Sequence, residues 1–185
     1  GSTKQGLDIR VAGHRLNYEL SNEQERVDAF LEIKALCKAA KNEIKDQIVE
    51  AVFEAMDAEV DAEHPLYTFM NWDQARQMDA SPLIDLGAHT VDHVSLANVD
   101  PADMRQQIDA SVAAMQTELG RDIDLFSYPE GQERDYNKEV VDYLRSKGFD
   151  HAPSAIEGVN DSKTTSPFDL LRIMVGFEGR PYPFV

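Results

Sequence analysis

Two histidines four residues apart, His89 and His93, stand in "LIDLGAHTVDHVSL", just past a short apolar run that ends at Gly87-Ala88. Imidazoles at that spacing can face one point if the chain coils beyond a strand end, and a divalent cation such as zinc would fill it at Zn–N distances of roughly 2.0–2.1 Å. The same spacing also suits two hydrogen-bonded loop histidines. A second candidate is "FSYPEGQ", Phe126 to Gln132, where Tyr128-Pro129-Glu130-Gly131 predicts a sharp turn after a strand. Such a turn can aim backbone N–H groups at a developing oxyanion, or it can simply reverse the chain. The single cysteine, Cys37, excludes an internal disulfide and any cysteine-based zinc cluster, so a metal here takes histidine and carboxylate ligands. Asp85 and Asp92 are close by, but Asp85 precedes the strand end and Asp92 would point away from both histidines on a turn of helix. Both are expected in solvent.

The elements that must position these groups follow from periodicity. Residues 7 to 20 alternate in short stretches and fit strand or irregular chain. Ser21 and Gln24 are spaced as a capping box, and Val27, Phe30, Leu31 and Leu36 share one face of a helix running to about Ala40. A second helix from about Glu43 places Ile44, Ile48, Val52 and Met56 along one stripe, which makes a helical hairpin over 21–56. The acidic connector 57–65 carries His64 before Pro65, a solvated loop position. Asn71 and Gln74 predict a capped short helix bearing Trp72, Ala75 and Met78, and a strand then ends near Ala88.

The next helix is the most legible element. Asp100 caps it, Pro101 takes its first turn, Met104, Ile108, Val112, Met115 and Leu119 form the buried face, and Gly120 ends it. "DIDLFSYP" reads as a strand, residues 137–147 as a helix burying Val140, Val141 and Leu144, and a further strand begins at Phe149. After a polar loop, 157–167, "LLRIMV" reads as the last strand. Strand, helix, strand, helix, strand is the pattern of an α/β fold with a parallel sheet, whose functional groups collect at the carboxyl ends of strands. Two parts are expected: an N-terminal segment, 1–65, with the helical hairpin, and an α/β portion, 66–185.

Composition bounds the partners. The 185 residues are 42% hydrophobic and 28% charged, an ordinary globular balance with enough chain for a real core. A net charge of −16, with basic residues scattered, argues against nucleic acid and against an anionic membrane surface. No apolar run reaches transmembrane length.

Taken in order, "MNWDQARQM", "LIDLGAHTVDHVSL", the helix after "DPAD", "TELGRDIDLFSYPEGQ", the helix ending in "RSKGF" and "SPFDLLRIMV" resemble the polysaccharide deacetylase family. These are NodB-like carbohydrate esterases that remove N- or O-acetyl groups from glycans. The resemblance covers residues 70 to 176, and "HTVDH" followed at this distance by "FSYPEG" is far more specific than either alone. It implies a partial, distorted β/α barrel of NodB type with the helical hairpin as an insertion, and an acetylated glycan as partner. His89 and His93 match the family's two metal-binding histidines, and Thr90 the hydroxyl residue that shapes their loop. Zinc is the implied metal, with cobalt, nickel and iron also suited to imidazole and carboxylate ligands. Tyr128, Pro129 and Glu130 match the substrate-groove motif, with the backbone N–H of Glu130 as oxyanion donor.

The departures are as informative. The family's aspartate pair, a general base and a third metal ligand, has no counterpart, because the chain contains no Asp-Asp dipeptide. The strand bearing that pair would lie upstream of Gly1. "LLRIMVGF" has no histidine where many members place a general acid, Ser127 stands where several have arginine, and Glu130 where tyrosine is common. His151 is not at the acid position and is expected to be structural or exposed. The resemblance therefore implies a portion of a metal-dependent glycan deacetylase domain, or alternatively a non-catalytic glycan-binding or scaffolding module. Where that upstream strand is missing, an open sheet edge is expected through which the chain could self-associate.

Overall fold

The computed structural model describes residues 3–40, 42–58 and 68–173. The chain forms two compact units, Gly1–Phe69 and Met70–Val185. The connector residues His64 and Pro65, and Met174 and Val175 of the expected last strand, lie outside the described residues.

In the first unit, the stretch that fitted strand or irregular chain is an antiparallel hairpin, β1 (Gly6–Val11) and β2 (His14–Glu19). Its two-residue turn, Ala12-Gly13, has φ of 50° and 83°, the left-handed pair whose twist matches a β-hairpin. Helices α1 (Glu23–Ala39) and α2 (Asn42–Ala55) follow. The cap of α1 sits one residue later than expected. Asn22, not Ser21, caps the helix by accepting from the Glu25 N–H, and the Glu25 carboxylate reaches back to the Ser21 N–H at 2.8 Å. The buried face differs too: Ala29, Ile33, Leu36 and Cys37 join Leu7, Leu16, Leu20 and Ile48, whereas Val27, Phe30 and Leu31 stay largely exposed. Packing against the hairpin decided which face was covered, and the small Ala29 lies in that contact. The stripe expected on α2 is in place, with Ile48 fully buried and Ile44, Val52 and Met56 packed around it.

The second unit positions the candidate site. Helix α3 (Trp72–Asp79) carries the expected capping box of Asn71 and Gln74. Helix α4 (Pro101–Leu119) is capped by Asp100 and closed by Gly120 in the left-handed conformation. Helix α5 (Lys138–Ser146) is capped by Asn137 and buries Val140, Val141 and Leu144. Four extended segments run parallel in order: Ala88 beside Phe126, Leu125 beside His151, then β3 (Pro153–Glu157) beside β4 (Leu170–Arg172). The first two are shorter than the sequence predicts. Their ladder is confined to a few bonds, such as Ala88 N–H to Leu125 O (2.8 Å) and Ser127 N–H to Ala88 O (3.0 Å), and Pro129 has no N–H to extend it. Met104 and Ile108 from α4 and the apolar face of α5 close over Ala88, Phe126, Tyr128, Phe149 and Ala152 in one core. No helix among the described residues is long and apolar enough to cross a membrane.

Candidate metal and substrate site at the strand ends

His89 leaves the parallel segments one residue past Ala88. Gly87 makes this possible, because a Cβ there would sit 2.8 Å from Leu125 O and 2.9 Å from Leu125 Cβ. The chain beyond does not coil into a helix as expected. It bends, with Thr90 at φ 65° and His93 at φ 53°, and these two left-handed residues bring the imidazoles together. A β-branched residue in that region is strained by about 1–3 kcal/mol, and strain of this kind gathers at functional loops. Thr90 Oγ1 is moreover buried with no hydrogen-bond partner among the described residues. The loop is pinned from α4: Gln107 Oε1 accepts from the Val91 and Asp92 N–H groups, and Gln107 Nε2 donates to Asp92 Oδ2 at 2.6 Å. Asp92 is thus occupied in bracing the loop, and Asp85 is exposed.

His89 Nδ1 lies 2.7 Å from the carbonyl oxygen of Ser127. A carbonyl only accepts, so Nδ1 carries the proton and Nε2 presents its lone pair. Its pKa is held below the ordinary histidine value. Burial is the main cause, the Ser127 bond opposes it, interactions with His93 and Arg172 lower it further, and Glu130 raises it. A neutral ring with its second nitrogen fixed on a carbonyl is the form that ligates metals. The two ring centroids are 4.8 Å apart at an interplanar angle of 75°. Two imidazoles on one tetrahedral ion with Zn–N near 2.0–2.1 Å have centroids roughly 5 Å apart, so the pair fits two positions of such a site. Among the described residues no group of three His, Cys, Asp or Glu side chains is placed to hold a metal.

The second candidate stands beside the first. His93 Nδ1 is 4.0 Å from Glu130 Oε1. Glu130 has φ 58° and Gly131 φ 66°, and the Gly131 N–H closes the turn onto Pro129 O at 2.6 Å. A Cβ on Gly131 would meet Ala155 N at 2.7 Å, so only glycine fits. Tyr128 lines the cavity that His89, His93 and Glu130 share, while most of its side chain and that of Pro129 is packed away from solvent. Both are fully buried, Tyr128 stacks on Tyr136 at 3.9 Å, and its hydroxyl donates to Phe168 O at 2.9 Å. Burial pushes the Tyr128 phenol well above its ordinary pKa. Their packing holds the turn from within the core.

Three further residues brace or line the site and were not foreseen. Gln107 is one. Asp135 is buried and joins the two loops: Oδ1 accepts from Ser95 Oγ at 2.9 Å and Oδ2 from the Gln132 N–H at 3.0 Å. Arg172, at the end of β4, shares a cavity of about 510 Å³ with His89, His93, Ser127 and Glu130. Only Arg172 had a signal in the sequence, as the single charge inside the apolar run "LLRIMV". His151 takes part in the parallel pairing beside Leu125.

A parallel α/β unit with a histidine pair and a strained turn in one cavity at the strand ends is the class of domain that fold and site define. The polysaccharide deacetylase family model matches residues 32–152, and the chain belongs to that family. Among solved structures it is similar to the Streptococcus pyogenes deacetylase PplD in complex with acetate, at 19% identity and a TM-score of 0.52 over 57% of this chain and 45% of that one. It is also similar to the BpsB deacetylase domain from Bordetella bronchiseptica, at 18% identity and a TM-score of 0.50 over 64% of this chain and 54% of that one. The chain thus spans about half the length of these structures, which agree with it in fold. No curated protein matches it.

Proposed function

We propose that this chain is the histidine-bearing portion of a metal-dependent deacetylase domain that hydrolyses acetyl groups of an acetylated glycan, built on a partial β/α barrel with residues 1–65 as an inserted segment. The observation that carries this reading is the pairing of His89, locked on the Ser127 carbonyl with Nε2 presented, and His93, in one cavity with the Glu130 turn. His89 and His93 would hold the ion, zinc before cobalt, nickel or iron. When bound, it would polarise the acetyl carbonyl and lower the pKa of a water toward neutrality.

The remaining roles belong to the chain's own groups. The backbone N–H of Glu130 donates to the acetyl oxygen as negative charge develops there, a contribution that needs no particular side chain. The neighbouring Gly131 N–H is committed to Pro129 O and cannot share that role. Tyr128 and Pro129 keep the turn rigid, because reorganisation during the reaction would forfeit the stabilisation. The general base and the third ligand are not assigned to any described residue.

Titrating zinc into metal-stripped protein tests the reading. One ion per chain is expected, with affinity falling at least about tenfold in His93→Ala and in His89→Ala. Equal affinity in wild type and His93→Ala would overturn it. The alternative, a glycan-binding or scaffolding module, draws on Ser127 and on the absence of histidine from "LLRIMVGF". It predicts glycan binding that is indifferent to zinc. Self-association through the edge beside Ala88 is a separate proposal, checked by sedimentation.

A further inference from the structure

Arg172 enters the cavity from the end of β4, on the opposite side of the parallel array from Ala88 in strand order. Its Nε donates to the carbonyl oxygen of Ser154, in the neighbouring β3. Ser154 is itself fully buried, and its hydroxyl donates to Leu170 O at 3.0 Å, so the exposed Arg172 side chain is tied at Nε to a carbonyl of the core. A guanidinium has five N–H donors in a fixed fork, and this tether uses one of them.

Among the described residues no carboxylate makes an ion pair with Arg172, although the chain holds 34 acidic residues against 18 basic ones. In so acidic a molecule, an arginine lining a cavity is a place where an incoming anion can gain a charge-assisted contact. The planar fork matches a carboxylate by two parallel N–H···O bonds, which a spherical anion cannot exploit.

We propose that Arg172 is the residue that recognises the acyl oxygens, holding the acetyl group in place and then the acetate released from it. The inference rests on the deacetylase reading. Hydrolysis adds water across the acyl C–N or C–O bond, so that hydroxide joins the carbonyl carbon and a proton goes to the sugar amine or hydroxyl. The product acid ionises at neutral pH, and its carboxylate is the planar anion for which the fork is shaped.

The test uses the full chain, metal-stripped, with amide and arginine side-chain NMR resonances followed while sodium acetate is added at constant ionic strength. Saturable shifts are expected at Arg172 Nε and at the Glu130 and Gly131 amides. Acetate affinity should fall about tenfold or more in Arg172→Gln and less in Arg172→Lys, which keeps the charge but loses the fork. Zinc affinity should not fall in either variant. Unchanged acetate binding in a folded Arg172→Gln, or no saturable binding in wild type, would overturn the proposal. So would tighter binding of glucuronate than of acetate, which would make Arg172 a reader of acidic sugars. Should Arg172→Gln not fold, Arg172→Lys with chloride as the competing anion gives the same decision. Loss of zinc binding in wild type, by contrast, would sink the metal reading while leaving the acetate result standing.

Discussion

The two loops that build the site are held in different ways. The turn at 128–131 grows out of the core: Tyr128 and Pro129 are fully buried, Gly131 fits against the backbone of Ala155, and its own N–H closes onto Pro129 O. The histidine loop at 89–93 is braced from α4 by Gln107 through three hydrogen bonds and by His89 on the Ser127 carbonyl. On the proposed reading, a rigid turn suits a donor that must stay where charge develops, whereas a loop braced largely by side-chain bonds suits ligands that adjust around an ion. The difference predicts that changes at the turn cost stability first, and changes at Gln107 cost metal affinity first.

The largest effect should come from Gly131→Ala. The new Cβ would lie 2.7 Å from Ala155 N and 3.1 Å from Tyr128 O, in a residue whose φ is 66°. Contacts that short against backbone cannot relax cheaply, and a loss of about 3 kcal/mol or more is expected in urea unfolding. A loss under about 1 kcal/mol would mean that the turn yields, and the contrast between the loops would collapse. Tyr128→Phe should follow, at about 1–3 kcal/mol, because it strands the buried Phe168 carbonyl. Zinc affinity should be unmoved by Tyr128→Phe, since His89 bonds to the backbone of Ser127 and not to the phenol.

The sequence made the helices of the second unit readable for a physical reason: their caps and stops are local. Asn71 with Gln74, Asp100 with Pro101 and Gly120, and Asn137 each act within one turn of the residues they bond. The same logic misplaced the α1 cap by one residue, because Ser21 and Asn22 are both competent and only the Asn22 side chain meets the Glu25 N–H. The buried face of α1 was not legible, since Val27, Phe30 and Leu31 form as good a stripe as Ala29, Ile33 and Leu36 until a partner chooses. Within the site, His89, His93 and Glu130 stood out by type and spacing. Gln107 and Asp135 did not, because an amide and a carboxylate gain their roles from partners 15 and 40 residues away.

Gln107→Ala sharpens the comparison from the other side. Its bonds are accessible to water, so global stability should drop by only about 1 kcal/mol. The Val91 and Asp92 amides would lose their acceptor and His93 its fixed place, and zinc affinity should fall by about ten- to a hundredfold, as for other residues that orient ligands. Calorimetry with zinc, alongside urea unfolding of the same variant, separates the two readouts. A variant that loses stability but keeps full zinc affinity would show that the histidine loop is held by something other than α4.

The smallest effect tests how α4 itself is placed. Asp109 accepts from the Tyr143 hydroxyl at 2.7 Å and lies 2.9 Å from Lys147 Nζ, which links α4 to α5 and the residue that caps it. Burial alone would raise the Asp109 pKa, but the bonds from Lys147 and Tyr143 and the lysine charge outweigh it, and the carboxyl is held below its ordinary value. The sign follows. A depressed folded pKa gives stability that is fully present above the unfolded carboxylate value and is lost as pH falls through the folded one. Asp109→Asn should therefore be less stable than wild type at pH 7, by under about 1 kcal/mol because the pair is partly exposed. The two proteins should converge as pH is lowered beneath the usual aspartate range, where wild-type Asp109 is also neutral. Thermal unfolding of both across that range checks it. A gap that persists at the acid end would assign the effect to the shape of the side chain instead of its charge, and α4 would then be held over the site by packing alone.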